Sequence, residues 1–227
     1  PERQDRFIQR IREQNADGII LAAAEGTEPE LIQRLAAWRM PCVQALRRVG
    51  DGPGDYVGPD YRLGVSMAAE HLIGLGHKHI AYIGGARRTS ALRERLAGFR
   101  GAMKRHGLDP SIVISCPATR DEGVKAIREL LSTATPPTAA ICYNDITAFG
   151  VILGLLEAGR QPGTDFNLVG FDNIAEAALS RPALTTIAVE PRQIGQQVAE
   201  LLLRRIADPA GRPEQVILPP RLIIRDT

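Results

Sequence analysis

Aromatic residues are scarce in this chain. Phe, Trp and Tyr make up 4% of its 227 residues, and Trp occurs once. A core therefore has to be built from Leu, Ile, Val and Ala. Cysteine is scarce as well. Cys42, Cys116 and Cys142 are an odd number with no CxxC spacing. That argues against a disulfide framework and a zinc site, and it fits a reducing cytoplasm. All three lie in apolar, strand-like contexts, so buried free thiols are expected. Long runs of one charge sign are missing, and the formal net charge is +2. Gripping a phosphate backbone takes clustered Lys and Arg, so these residues are not expected to hold nucleic acid themselves. No apolar run approaches the roughly 18–20 residues that a membrane span needs. The opening Pro1-Glu2-Arg3-Gln4-Asp5-Arg6 is too polar for a secretory signal.

What is present is an ordinary globular composition, 44% hydrophobic and 24% charged. The length allows one large domain or two small lobes. Helix and strand patterns alternate from end to end. Residues 2–14 read as an amphipathic helix with Phe7, Ile8 and Ile11 on one side, so the sequence opens inside an element. Helices are further expected over 28–38, 61–74, 90–106, 121–131, 146–159 and 192–206. Thr27 and Glu30 offer a capping box to the 28–38 helix, and Gly107 a C-cap to the 90–106 helix. Strands are expected at 17–21, 41–45, 56–58, 79–83, 112–114, 138–142, 167–172, 185–187, 215–218 and 221–224. Strands alternating with helices of this length imply βαβ units and a parallel, doubly wound sheet. A seam at Gly74-Leu75-Gly76-His77 separates one βα series from the next.

Two of the strands carry the functional signal. Ala139-Ala140-Ile141-Cys142 runs into Tyr143-Asn144-Asp145, and Leu168-Val169-Gly170-Phe171 runs into Asp172-Asn173. Apolar runs of this kind suit parallel strands buried on both faces. Open α/β sheets bind ligands beyond the carboxyl ends of their strands. Acid and amide groups placed there, with no nucleophile beside them, suit recognition of hydroxyls or amines. Asp172 also suits an ordinary turn. Asn144 also suits a helix cap, although Asp145 is the better placed of the two for that task.

Other clusters have plainer readings. His71, His77 and His79 lack helical ligand spacing and a completing Cys or carboxylate, so a structural role is expected and no metal. Arg87, Arg88, Arg93, Arg100, Lys104 and Arg105 spread round a helix and its preceding loop, as a solvated face does. Gly84-Gly85 has no Walker lysine and no GxGxxG, so a tight strand-to-helix turn is expected rather than a phosphate cradle. Ser66 and Ser90 have no nucleophile-elbow setting. No catalytic constellation emerges, and neither an enzyme nor a cofactor is expected.

Several motifs occur in a telling order: Asp60-Tyr61-Arg62-Leu63-Gly64 leading to Glu70-His71-Leu72-Ile73-Gly74-Leu75-Gly76-His77; Arg95-Leu96-Ala97-Gly98-Phe99; Asn144-Asp145 with Ala148-Phe149-Gly150; Leu168-Val169-Gly170-Phe171-Asp172-Asn173; and Pro182-Ala183-Leu184-Thr185-Thr186-Ile187. Together the chain resembles the lactose/galactose-repressor (LacI/GalR) family of bacterial transcription regulators over its full length. The resemblance implies an effector-binding domain of periplasmic-binding-protein-like α/β fold, with two doubly wound parallel-sheet lobes and a ligand cleft between them. It implies an N-terminal lobe of 1–76 plus 188–217, and a C-terminal lobe of 77–187 plus 218–227. Family members carry a helix-turn-helix and hinge helix ahead of this domain. The resemblance implies that the sequence begins after these, and after the first βα unit of the N-terminal lobe. Operator DNA would then be met only by the parent protein.

Four ligand-binding positions carry over from the family pattern. Asp60 ends an N-lobe strand, Arg95 offers its forked donors, Asn144 presents an amide, and Asp172 accepts from ligand hydroxyls or nitrogens. The family's ring-stacking aromatic is replaced here near Ala118, which leaves Tyr61, Tyr143 or Phe171 to supply a face. The expected function is allosteric sensing of a small polar metabolite, a sugar or a relative of one, by a cytoplasmic homodimer that meets no membrane. Ile174–Leu179 and the helix bearing Phe149 and Ile152 are expected at the dimer contact. A solute-binding protein of a sugar transport system is the alternative, and an enzyme using the Gly84-Gly85 loop is a third reading.

Overall fold

A computed structural model describes residues 2–50, 52, 54–85 and 89–227. The backbone groups into two compact units. One comprises Pro1–Pro59, Arg88–Ala91 and Glu190–Leu218; the other comprises Asp60–Arg87, Leu92–Val189 and Pro219–Thr227.

The first unit holds helix α1 (Glu2–Glu13), strand β1 (Ile19–Leu21), helix α2 (Glu30–Ala37) and strands β2 (Cys42–Ala45) and β3 (Asp55–Pro59). The chain leaves it and re-enters much later. Every strand of its sheet is parallel to its neighbours, in the order β1-β2-β3 and then β9 (Gln215–Leu218). Ile8, Leu31 and Leu35 pack with Ile19 and Leu21 in one cluster. A second cluster joins Val43, Ala45 and Val57 to Ile194, Val198 and Leu201. The last three belong to the helix Pro191–Ala207. Their spacing of four and three residues makes one helical stripe. Proline at its first position has no amide to leave unsatisfied there. An internal ion pair secures the long sequence return. Asp55 accepts from Arg205 Nε at 2.6 Å and Nη2 at 3.1 Å, and from the Glu214 amide at 2.8 Å.

The second unit begins with α3 (Tyr61–Gly74) and continues through β4 (Ile80–Ile83), α4 (Ser90–Arg105), β5 (Val113–Ile114) and α5 (Arg120–Leu131). Then follow β6 (Ala139–Cys142), α6 (Asp145–Glu157), β7 (Asn167–Asp172), the short α7 (Ala175–Leu179) and β8 (Thr186–Ala188). After α8 (Pro191–Ala207) and β9 in the first unit, β10 (Arg221–Ile223) completes this sheet. The order is β10-β8-β7-β6-β4-β5, parallel throughout except that β10 runs antiparallel to β8. Strands β4 and β6 are buried along their whole lengths. Their Ala, Ile and Cys side chains fill the core that the sparse aromatics cannot.

Helices α5 and α6 meet backbone to backbone. A side-chain carbon at Gly123 would overlap the Thr147 carbonyl, and one at Gly150 the Arg120 carbonyl. Two more glycines answer to conformation. Gly84 and Gly85 take φ values of +110° and +82°, and a side chain on either would collide with Tyr143 or Leu92. The pair makes a tight turn after β4.

The expected elements form, with four differences. Helix α3 packs on β6, β7, β8 and β10, so residues 60–74 group with the second unit and not with the first. The antiparallel β10 interrupts the all-parallel expectation. The capping box at Thr27 does not form: its hydroxyl donates to the Ala24 carbonyl at 2.7 Å, and α2 starts from Pro29 without a side-chain cap. The short helix α7 had no signal in the sequence pattern.

Candidate functional site

In an open sheet, a ligand site forms where strand order reverses, at the strands' carboxyl ends. In the second unit the chain passes from β4 to β5 on one side and then to β6 on the other. The carboxyl ends of β4, β6 and β7 deliver Gly84, Tyr143 and Asp172 to this point. Helix α4 adds Arg95, and the start of α3 adds Tyr61.

Arg95 is the centre of the arrangement and is only 4% exposed. Its guanidinium carbon stands 4.5 Å from the Tyr61 ring centroid, 4.2 Å from Tyr143 and 4.1 Å from Phe171. Ring faces carry negative potential, so three of them hold a desolvated cation. Nη1 donates to the Tyr143 carbonyl at 2.6 Å, whereas buried Nε has no hydrogen-bond partner among the described residues. Burial acts against the charge, but Tyr143, Tyr61, Tyr82 and the Asp172 carboxylate outweigh it and hold the pKa above its ordinary value.

Asp172 faces this cation across 3.8 Å, with its side chain 40% exposed against 5% for that of Arg95. That separation is too long for a hydrogen bond. Burial raises the Asp172 pKa and Arg95 opposes it; the net direction is upward. Asp172 and Asn173 have φ values of +108° and +53°, a backbone that non-glycine residues rarely adopt. Among the described residues the Asp172 carboxylate and Arg95 Nη2 thus keep unfilled acceptor and donor capacity side by side. A hydroxyl group can accept from one and donate to the other.

Asn144 stands one residue beyond Tyr143 and caps α6. Its Oδ1 accepts from the Thr147 amide at 2.9 Å and from the Thr147 hydroxyl at 2.8 Å, leaving its amide nitrogen as a donor. Asp145 was expected as the cap. Instead its side chain is fully buried and reaches Thr186 and Ile174. Asp60 caps α3, its carboxylate accepting from the Leu63 amide at 2.8 Å. Its neighbour Tyr61 carries the ring to Arg95. The structure therefore brings Arg95 and Asp172 together, with Asn144 adjoining through Tyr143, and gives Asp60 a capping task.

Tyr61, Tyr143 and Phe171, the candidates for a stacking face, are engaged with Arg95. The basic run around it is a solvated face as expected: Arg93, Arg100, Lys104 and Arg105 are exposed, while Arg87 and Arg88 lie outside the described residues. His77 joins the starts of β6 and β7, with Nδ1 2.8 Å from the Thr138 hydroxyl and Nε2 3.0 Å from Asn167 Oδ1. Among the described residues no group of His, Cys, Asp and Glu could hold a metal. Cys116 and Cys142 are buried and Cys42 half-buried. Burial, with Asp55 nearby, pushes the Cys42 pKa up to about 12. These thiols are inert packing.

A parallel sheet whose strand ends present a cation, a carboxylate and aromatic walls is an arrangement that open α/β sheets use for ligand recognition. A periplasmic binding protein-like domain family matches residues 69–227. The chain belongs to the LacI family of transcription regulators and spans its effector-binding domain. It is 32% identical to the ribose operon repressor of Escherichia coli K12, covering 99% of this chain and 68% of that protein. A LacI family regulator from Enterococcus faecium solved with bound ribose is 30% identical, with a TM-score of 0.86 over 97% of this chain and 82% of that one. A regulator solved in complex with cellobiose is also 30% identical, with a TM-score of 0.90 over 98% of this chain and 69% of that one. These relatives are transcription regulators. Among the described residues no helix is long and apolar enough to cross a membrane.

Proposed function

We propose that this chain senses a sugar or a closely related polyhydroxylated metabolite, and that the regulator containing it converts binding into a change in operator affinity. The observation that carries the reading is the Arg95–Asp172 pair. Its 3.8 Å gap lies at the strand ends under an aromatic wall. A cation beside a carboxylate is close to neutral as a unit, so it suits hydroxyls better than a charged ligand. Ribose and cellobiose in related regulators support the class. Asn144 adds an amide donor, and Asp60 acts through the start of α3. Relatives that are repressors favour sensing over solute transport. DNA contact is assigned to a helix-turn-helix of the parent regulator, and assembly to a homodimer. Control of DNA requires the ligand to favour one of two protein states by its differential affinity.

Calorimetric titration of the chain with ribose, cellobiose, polyols, sugar acids and nucleobases tests the proposal. Saturable binding of a neutral sugar is the expected result. Binding confined to nucleobases, or to none of these classes, would overturn it.

A further inference from the structure

The strand-end dipeptide that presents Asp172 is braced from behind. Asp145, the first residue of α6, has no exposed surface. Its Oδ2 accepts the Ile174 amide at 2.9 Å and its Oδ1 accepts the Thr186 hydroxyl at 2.5 Å. Room for it comes from β7: a side-chain carbon at Gly170 would overlap Asp145 Oδ1. On the other side, Arg225 Nη2 donates to Asn173 Oδ1 at 2.8 Å while its Nη1 donates to the Leu184 carbonyl at 2.6 Å. Asp172 and Asn173 between them hold positive φ values. Such conformations persist only when the surroundings over-determine them. A buried carboxylate with two donors is also costly, and an apolar residue would serve a plain core better.

We infer that Asp145, assisted by Arg225, is a positioning residue that clamps the Asp172–Asn173 backbone and so fixes the Asp172 carboxylate opposite Arg95. The functional meaning of the clamp rests on the sugar-sensing reading; its geometry does not. The charged and titratable groups facing Asp145 are Asp172 from β7, Arg225 from the segment after β10, and Cys142 from β6. The amino end of α6 favours the ionised form at this position. Burial opposes it most strongly, and the pKa rises to about 6.

The test is amide exchange and pH titration by NMR on the whole 227-residue chain, wild type against Asp145→Asn and Arg225→Gln. Clamping predicts exchange at Ile174 about tenfold faster or more in both variants, with β6 amides unaltered. It also predicts that the Ile174 amide shift titrates with a midpoint near pH 6 in the wild type and is flat in Asp145→Asn. An unchanged Ile174 amide would overturn the inference. So would protection lost evenly across β6 and β7, because Asp145 would then be a general core residue. A parallel arm titrates ribose and cellobiose into wild type and Asp172→Ala. Equal affinities there, with the Ile174 signature intact, would sink the sugar-site reading and leave the clamp standing.

Discussion

At the residue scale, the Arg95–Asp172 pair and the buried Asp145 make different demands. Asp172→Ala removes a charged acceptor from a half-desolvated site. Sugar affinity should fall by about 2–3 kcal/mol, or roughly 30–150-fold, with the circular dichroism spectrum unchanged. Unaltered calorimetric affinity for a sugar that the wild type binds would refute the assignment. Asp145 controls a pH dependence whose sign follows from its pKa, raised from 3.8 to about 6. The folded state then binds more protons than the unfolded chain between these values. The corresponding stability is present below about pH 4 and is lost as pH rises through about 6. The full effect approaches 3 kcal/mol as an upper bound. Urea titrations of wild type and Asp145→Asn should diverge in slope across that window. The optical probe matters here, because Trp38, the sole tryptophan, belongs to the first unit between Arg12 and Arg34. Its fluorescence reports the first unit, so amide signals from β6 and β7 are the better monitor.

At the scale of elements, the α5–α6 contact sets the strictest packing condition. Gly150→Ala must push the Arg120 backbone aside. Overpacking of about 1–3 kcal/mol or more exceeds the roughly 1 kcal/mol that alanine adds to helix propensity. Gly195 lies within α8 with open space around it, so Gly195→Ala should stabilise by about 0.5–1 kcal/mol. Opposite signs for these two substitutions in thermal unfolding are the expected outcome; equal signs would refute the packing argument. Elements with this much local signal were legible in the sequence. Apolar runs marked β4, β6 and β7, and Asp60 with the glycines after Ile73 framed α3. The capping box misled because Thr27 satisfies Ala24, while Gln4 from α1 bonds the same loop. Helix α7 is too short to establish a period. Arg95 and Asp172 were found through motif order. The rings around Arg95 were not, because Tyr61, Tyr143 and Phe171 come from elements far apart in the chain. The Asp145 slot was hidden for the same reason, since Gly170 of β7 makes room for a side chain that starts α6.

At the scale of the whole molecule, monomer burial sorts the residues of the segments expected at a dimer contact. Phe149 and Ile152 belong to the core, whereas Leu153, Leu156 and Leu179 are 49%, 43% and 74% exposed. In a dimeric parent regulator, Leu156→Glu should weaken association in sedimentation experiments. A parent protein that stays monomeric at tens of micromolar would contradict the assembly, because a standard interface supports tighter binding. The 227-residue chain itself, with a net charge of +2, should show no sequence-dependent gel shift at physiological salt. The interleaving of the two units also has a consequence for synthesis. Strand β3 waits for β9, Asp55 waits for Arg205, and β8 waits for β10. A ribosome that has just joined Val189 has made most of both units and finished neither. At about 5–20 residues per second the remaining stretch takes roughly 2–8 s. Throughout that interval the nascent chain exposes unpaired strand edges, the state in which aggregation competes with folding.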